Sequence, residues 1–139
     1  MTPDQIRKRM ANVRREDTDI ELALRSALHR KGYRFRKNVK ALPGSPDIVF
    51  PSKKLAVFVD GDFWHGWRFE ERKSKLKPFW REKVERNIAR DTQNAADLEA
   101  LGWRVLRVWE HDVERRLDIV LELLERVLAG ADIPIRKMH

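Results

Sequence analysis

The most constraining feature of this chain is a short apolar run, Leu55-Ala56-Val57-Phe58-Val59, which ends in Asp60 and Gly61. An uninterrupted apolar run of this length is typical of a strand that is buried on both faces of a sheet. Helices elsewhere in the chain must then cover those two faces. The run therefore predicts a central strand in an α/β fold.

The sequence on either side of this run supplies further strands and the covering helices. Apolar periodicity predicts helices over residues 19–31, 78–100 and 112–128, and strands over residues 33–36, 47–50 and 103–109. The order is helix, three strands, helix, strand, helix. It predicts an α/β sandwich with a central mixed sheet flanked by helices. A chain of 139 residues fits a single domain, 1–139, with a basic N-terminal arm at about 1–17.

Charge and composition limit the partners. The chain has 30 Lys and Arg against 22 Asp and Glu, a net charge of +8. Such an excess favours a polyanionic partner, with double-stranded DNA first, although a merely soluble basic protein has the same composition. The chain has no cysteine, which suits the cytoplasm and excludes disulfides and thiolate metal sites. It also lacks an apolar segment long enough for a signal peptide or a membrane span. We therefore expect a cytoplasmic, nucleoid-associated protein with no membrane partner.

Two carboxylates are the first candidates for chemistry. Asp47 opens one predicted strand, and Asp60 ends the next strand along the chain. Adjacent strands can place both side chains at one end of the sheet, where hard oxygen ligands suit Mg²⁺. A bound Mg²⁺ can activate water for attack on a phosphodiester. An aspartate at the start of a strand is also a common turn former, so this pattern alone is weak.

A histidine and a third carboxylate form the second candidate. His65 lies in a segment rich in acids and aromatics after the apolar run, and it can act as a general base. A surface histidine in an aromatic loop is the alternative interpretation. Asp91 lies inside the apolar stripe of the long predicted helix, where a charge is costly unless it is paired. A histidine partner would satisfy Asp91 and orient the imidazole. A salt bridge to one of the many arginines is the rival interpretation.

Aromatic and basic residues form the third candidate, a DNA-binding surface. Phe63, Trp64 and Trp80 lie near basic residues and can wedge between base steps or stack on exposed bases. Arg14 and Arg15, in the N-terminal arm, are candidate contacts to the phosphate backbone. Aromatic residues are more often part of a core, and this alternative stays open for all three.

Taken together, these residues make the sequence resemble the very-short-patch repair endonucleases, bacterial enzymes that nick DNA beside a thymine–guanine mismatch. The resemblance extends over almost the whole chain. The matching segments are Arg14 to Thr18, Ile20-Glu21-Leu22, Leu42 to Asp47, Val57 to His65, Phe79 to Lys83, Asn87, Arg90-Asp91 and Leu101 to Glu110. The resemblance implies a restriction-endonuclease-like fold with bound Mg²⁺.

The resemblance also implies residue roles. Asp47 corresponds to the metal-binding aspartate, Val59 to a position whose backbone carbonyl reaches the metal, and Glu21 to a glutamate near metal-bound waters. His65 corresponds to the catalytic histidine and Asp91 to the acid that pairs with it. Phe63, Trp64 and Trp80 correspond to aromatics that intercalate beside the mismatch.

The chain departs from that family at one place. Typical members bind a structural zinc through cysteines and a histidine, whereas the corresponding places here carry Asp62, Trp67 or its neighbours, and His111. Without a thiolate, no structural zinc is expected. Packing of Trp67 and Phe69 is an alternative means of holding this region.

Three functions are compatible with these residues. The first is a Mg²⁺-dependent DNA endonuclease that nicks one strand at or near a T·G mismatch in DNA repair. The second is a related restriction or genome-defence nuclease without mismatch specificity. The third is a DNA-binding module that has lost catalysis, against which the joint presence of Glu21, Asp47, His65 and Asp91 argues.

Overall fold

A computed structural model of the chain describes residues 18–62 and 66–133. Within these ranges the helices and strands follow one another in the order α1 (Asp19–Arg30), β1 (Arg36–Lys37), β2 (Ile48–Phe50), β3 (Leu55–Asp60), α2 (Phe69–Arg72), α3 (Pro78–Ala100), β4 (Arg104–Trp109), α4 (Glu110–Arg115) and α5 (Leu117–Leu128). Short 3₁₀ turns lie at Pro51–Lys53 and Lys73–Lys75.

The strands form one mixed sheet in the order β1-β2-β3-β4. β2 is antiparallel to both β1 and β3, and β3 is parallel to β4. In the parallel pair Leu55 lies opposite Arg104 and Asp60 lies opposite Trp109. The carboxyl ends of β3 and β4 therefore meet at the same edge of the sheet. Asp60, one of the predicted site residues, lies at this end of β3.

One face of the sheet is covered by α1, α4 and α5. Leu55 and Val57 of β3 contribute to the core on this face. It also includes apolar side chains from the neighbouring strands and from the three helices, namely Ile48, Phe50, Leu106, Val108, Leu24, Leu28, Val113, Val120 and Leu124. Burial of this apolar area is the main stabilising contribution to the fold.

The opposite face is covered by α3. Ala56 and Phe58 alternate with Leu55 and Val57 along β3, so their side chains point to this other face and pack against Leu98 of α3. Nearer the start of α3, Val84 packs with Phe69 of α2 in a smaller apolar cluster. The central strand is thus buried on both faces, and the predicted α/β sandwich with a mixed sheet is confirmed.

The element boundaries confirm most of the sequence predictions. Thr18 caps α1 by accepting a hydrogen bond from Glu21 N–H at 3.2 Å. α3 spans the predicted residues 78–100, and β3 ends at Asp60 as expected. In the described parts of the chain, no helix is both long and apolar enough to cross a membrane.

Two predicted elements were wrong in extent. The strand predicted over residues 33–36 is reduced to the pair Arg36–Lys37, which lies at the edge of the sheet. The helix predicted over residues 112–128 begins at Glu110 and is broken at Arg116, whose φ of −137° and ψ of 45° lie outside the helical region. No glycine or proline occurs between residues 110 and 128, so the sequence carries no signal for this break.

Gly44 brings the turn before Asp47 close to α3. Its φ of +77° favours glycine, and a Cβ at this position would lie 3.0 Å from Asn94 Nδ2 and 3.1 Å from Phe58 Cε1. Gly32 also has a positive φ, +87°, but a Cβ there would have nothing within 4 Å. The two glycines differ in available space and not in the sign of φ.

This difference predicts unequal effects of the same substitution. Gly32→Ala should reduce the free energy of unfolding by about 1–2 kcal/mol, because alanine is strained in the left-handed region. Gly44→Ala should reduce it by a further 1–3 kcal/mol or so, because the methyl group also overpacks against Asn94 and Phe58. Urea denaturation of both variants measures the two values. Equal losses would show that the turn does not pack tightly on α3.

Candidate active site

Asp47 is tied to the end of β3. Its Oδ2 accepts a hydrogen bond from Val59 N–H at 2.7 Å. The register of β2 and β3 pairs Ile48 with Val57, and continuing it by one residue places Asp47 opposite Phe58, on the α3 face of the sheet. The two residues predicted to share a metal, Asp47 and Val59, are therefore brought together.

Asp60 and Asp91 are brought together by an arginine. Arg107 Nη1 donates to Asp60 Oδ1 at 2.9 Å and lies 3.8 Å from Asp91 Oδ1. Arg107 Nη2 also lies 3.5 Å from the backbone oxygen of Asp91. Asp60 is only 2% exposed, so its charge is stabilised by this guanidinium rather than by water. The ion pair that was the rival interpretation for Asp91 is thus present.

Arg107 is the site residue that the sequence analysis missed. It lies opposite Phe58 in the parallel pair of β3 and β4, and its Cζ lies 4.0 Å from the centre of the Phe58 ring. A signal was available, because Arg107 interrupts an otherwise apolar stretch of β4 between Leu106 and Val108. Its partners lie 47 residues and 16 residues away in the chain, and only the fold brings them together.

Glu21 lies in a different layer from Asp91. It is in the first turn of α1, on the face of the sheet opposite to α3, and is 9% exposed. Its Oε2 lies 3.6 Å from Arg25 Nη1 one turn along the helix. A buried carboxylate beside a buried arginine keeps its charge at a lower cost than one without such a neighbour.

The predicted DNA-binding residues are only partly described. Trp80 lies in the first turn of α3, half-buried against the cluster of Phe69 and Val84. Its ring meets that of Phe79 edge-on at 4.8 Å, and Phe79 is 60% exposed. The other predicted contacts, Arg14, Arg15, Phe63 and Trp64, lie outside the described residues, as does the predicted catalytic histidine, His65.

Asp62, Trp67 and His111 stand where the resemblance implies zinc ligands, and they contact one another directly. Asp62 Oδ1 lies 2.6 Å from His111 Nδ1, and the Trp67 ring lies 4.7 Å from the His111 ring. Phe69 is buried against Val84. Trp67 and Phe69 are both packed, as the sequence suggested. The hydrogen bond between Asp62 and His111 was not expected from the sequence.

The donor set at Asp47 matches the preferences of Mg²⁺ more than those of softer metals. It comprises the Asp47 carboxylate, which lies against the Val59 backbone, and the Asp60 carboxylate at the end of the adjacent strand β3. Residues 18–62 and 66–133 contain no group of three or more His, Cys, Asp or Glu arranged to hold a metal ion. Mg²⁺ commonly uses one or two protein carboxylates and completes its shell with water and substrate phosphate, so this set fits it.

Comparison with known proteins gives a consistent result. The family model described as "DNA mismatch endonuclease Vsr" matches residues 1–71. A type II nicking enzyme from Neisseria meningitidis serogroup C is 41% identical over 92% of this chain and 88% of its own length. A type II nicking enzyme from Xanthomonas oryzae pv. oryzae is 47% identical over 79% of this chain and 82% of its own. The DNA mismatch endonuclease Vsr of Escherichia coli K12 is 37% identical over 95% of this chain and 91% of its own.

Proposed function

Because the chain belongs to the Vsr family of DNA endonucleases, we propose that it nicks one strand of double-stranded DNA at or near a T·G mismatch, with Mg²⁺ as cofactor, in DNA repair. Its fold is the restriction-endonuclease-like α/β fold of that family. The observation that carries the proposal is the placement of Asp47 against Val59 at the edge where β3 and β4 both end.

The metal site of this proposal consists of Asp47, the backbone at Val59, and Asp60. Mg²⁺ held there would lower the pKa of a bound water and stabilise negative charge on the scissile phosphate. Asp47 is oriented for this role by the hydrogen bond from Val59 N–H at 2.7 Å. Arg107 holds Oδ1 of Asp60 and thereby limits the direction in which that carboxylate can face. Glu21 would orient water molecules from the α1 side.

Proton transfer in this proposal belongs to His65. The side chain would accept a proton from the attacking water or support charge at the scissile phosphate. Asp91, on α3, would orient the imidazole, and the 3.8 Å separation between Asp91 Oδ1 and Arg107 Nη1 is longer than a hydrogen bond. A carboxylate can accept several hydrogen bonds, so the contact with Arg107 does not exclude a histidine partner.

The DNA contacts of this proposal are aromatic and basic. Trp80, at the start of α3, would stack beside the mismatch with Phe63 and Trp64. Arg14 and Arg15 would bind phosphates, as expected for a chain with a net charge of +8. We also propose that the protein contains no structural zinc, since no cysteine is present to bind it and Asp62 contacts His111 directly.

A second candidate is a nicking nuclease without mismatch specificity. It is supported by the relatives that are named type II nicking enzymes rather than mismatch endonucleases. The two candidates share the chemistry of the site and differ only in the DNA that is selected.

One assay on purified protein separates these candidates. Matched and T·G-mismatched duplexes of otherwise identical sequence are incubated with the protein, with Mg²⁺ or with EDTA. We expect nicking of the mismatched duplex alone, and only with Mg²⁺. Equal nicking of both duplexes favours the second candidate, and nicking in EDTA contradicts the metal site. Binding without nicking under any condition would leave only a DNA-binding module.

A further inference from the structure

Asp62 and Trp67 bracket the segment that contains Phe63, Trp64 and His65. Asp62 O accepts a hydrogen bond from Trp67 N–H at 3.0 Å, which draws the two ends of the segment together. Arg72, at the end of α2, donates from Nε to Trp67 O at 2.8 Å, and its Nη2 lies 3.5 Å from Asp62 O. The Arg72 guanidinium thus contacts the backbone oxygen at each end of the segment.

Two residues from the start of α4 connect these ends to β4. Asp62 N–H donates to Glu110 Oε1 at 3.1 Å, and Asp62 Oδ1 lies 2.6 Å from His111 Nδ1. Because a carboxylate only accepts, Nδ1 must carry the hydrogen of this second bond. We call Asp62, Trp67, Arg72, Glu110 and His111 the anchor cluster. It joins the ends of two parallel strands, β3 and β4.

The His111 ring also packs against aromatic rings. Its centre lies 4.7 Å from that of Trp67 and 6.3 Å from that of Trp109, and it is nearly parallel to the Trp109 ring. The side chains of His111 and Asp62 are 23% and 18% exposed. Partial burial excludes much of the water that would otherwise compete for the hydrogen bond. His111 Nε2 also lies 3.5 Å from Asp112 Oδ1. His111 therefore makes apolar contacts with the two tryptophans and polar contacts with Asp62 and Asp112.

We propose that His111 and Asp62 are a positioning pair for the nicking reaction, acting through the segment that the anchor cluster holds. This inference rests on the proposed function, in which His65 takes part in catalysis. Only residues 63–65 separate Asp62 from Gly66, so fixing Asp62 and Trp67 restricts the positions that His65 can take. A catalytic group that is misplaced by about 1 Å can lose roughly 100-fold in rate.

Two substitutions at His111 separate positioning from stability. His111→Leu keeps apolar bulk against Trp67 and Trp109 but cannot donate to Asp62. His111→Asn can donate to Asp62 through its amide nitrogen, in the place of Nδ1, but loses most of the ring packing. We expect the leucine variant to have a somewhat lower thermal midpoint, because Asp62 loses a donor, and to lose about 10–100-fold in kcat. We expect the asparagine variant to have the lower thermal midpoint and the higher kcat.

The matched control is His29→Leu. His29 lies at the end of α1, where its ring contacts Phe35 at 4.5 Å, and it has no place in the proposed machinery. This control should leave kcat unchanged. Rates are measured at saturating DNA, so that kcat is separated from KM.

The proposal is tested by which of the two His111 variants has the higher kcat. If kcat follows the thermal midpoint, with leucine more active than asparagine, His111 is merely structural and the inference is wrong. The same holds if the leucine variant nicks at the wild-type rate. Wild-type protein that nicks no duplex would instead overturn the proposed function, on which the inference depends.

Discussion

Asp47→Ala should abolish nicking while DNA binding is largely retained. In the proposed metal site this change would remove a ligand of Mg²⁺, and a contribution of several kcal/mol to the transition state corresponds to a rate loss of at least about 10³-fold. The same substitution leaves Val59 N–H without its 2.7 Å acceptor and should lower the free energy of unfolding by about 1–3 kcal/mol. A loss of activity through unfolding must therefore be separated from a loss of chemistry.

Asp47→Asn makes that separation. The amide oxygen can still accept from Val59 N–H, but the negative charge that attracts the metal is gone. We expect wild-type stability, wild-type affinity in a gel-shift assay, and no nicking. The control is Asp97→Asn on α3, an exposed carboxylate that contacts Gln93 at 2.8 Å. A wild-type nicking rate in either Asp47 variant would show that this residue is not part of the active site.

His65→Ala should lower the nicking rate by roughly 10²–10⁴-fold, because a general acid or base contributes about that factor. Asp91→Asn should lower the rate as well, by leaving the imidazole poorly oriented. If the two residues act as one unit, the double variant loses much less than the product of the single losses. Fully multiplicative losses would mean that Asp91 serves another partner.

Arg107 is one such partner of Asp91 in the structure. Arg107 Nη1 lies 3.8 Å from Asp91 Oδ1, so Asp91→Asn also weakens an ion pair. A second cycle, Asp91→Asn with Arg107→Gln, is therefore followed by urea denaturation. We expect coupling between Asp91 and Arg107 in the free energy of unfolding, and coupling between Asp91 and His65 in the nicking rate. If Asp91 is coupled to Arg107 in both measurements and to His65 in neither, Asp91 and His65 do not form a catalytic pair.

The fold was predictable where local signals were strong. α3 begins at Pro78, and proline is favoured in the first turn of a helix; it ends just before Gly102, which adopts a φ of +90°. β3 is marked by its apolar composition alone. The break at Arg116 carries no such signal, because neither glycine nor proline lies near it and arginine and leucine are good helix formers.

The sequence predicted which residue types form the candidate site, but not which of their side chains contact one another. The inward position of Asp91 was visible from helical spacing, but its contact with Arg107 depended on the placement of β4 beside β3. The contact of Asp62 with His111 spans 49 residues of chain and has no local signature. A sequence indicates which groups need partners, whereas the sheet register determines which partners they meet.

The packing of Gly44 on α3 has a mechanical consequence. α3 is a continuous helix of 23 residues, and Trp80 at one end is separated from Asn94 by about 21 Å at 1.5 Å per residue. A Cβ at Gly44, three residues before Asp47, would lie only 3.0 Å from Asn94 Nδ2, so this turn packs closely on α3. Closely packed groups transmit displacement with little compression. We therefore expect a displacement of α3 at its Trp80 end to reach the turn that precedes Asp47.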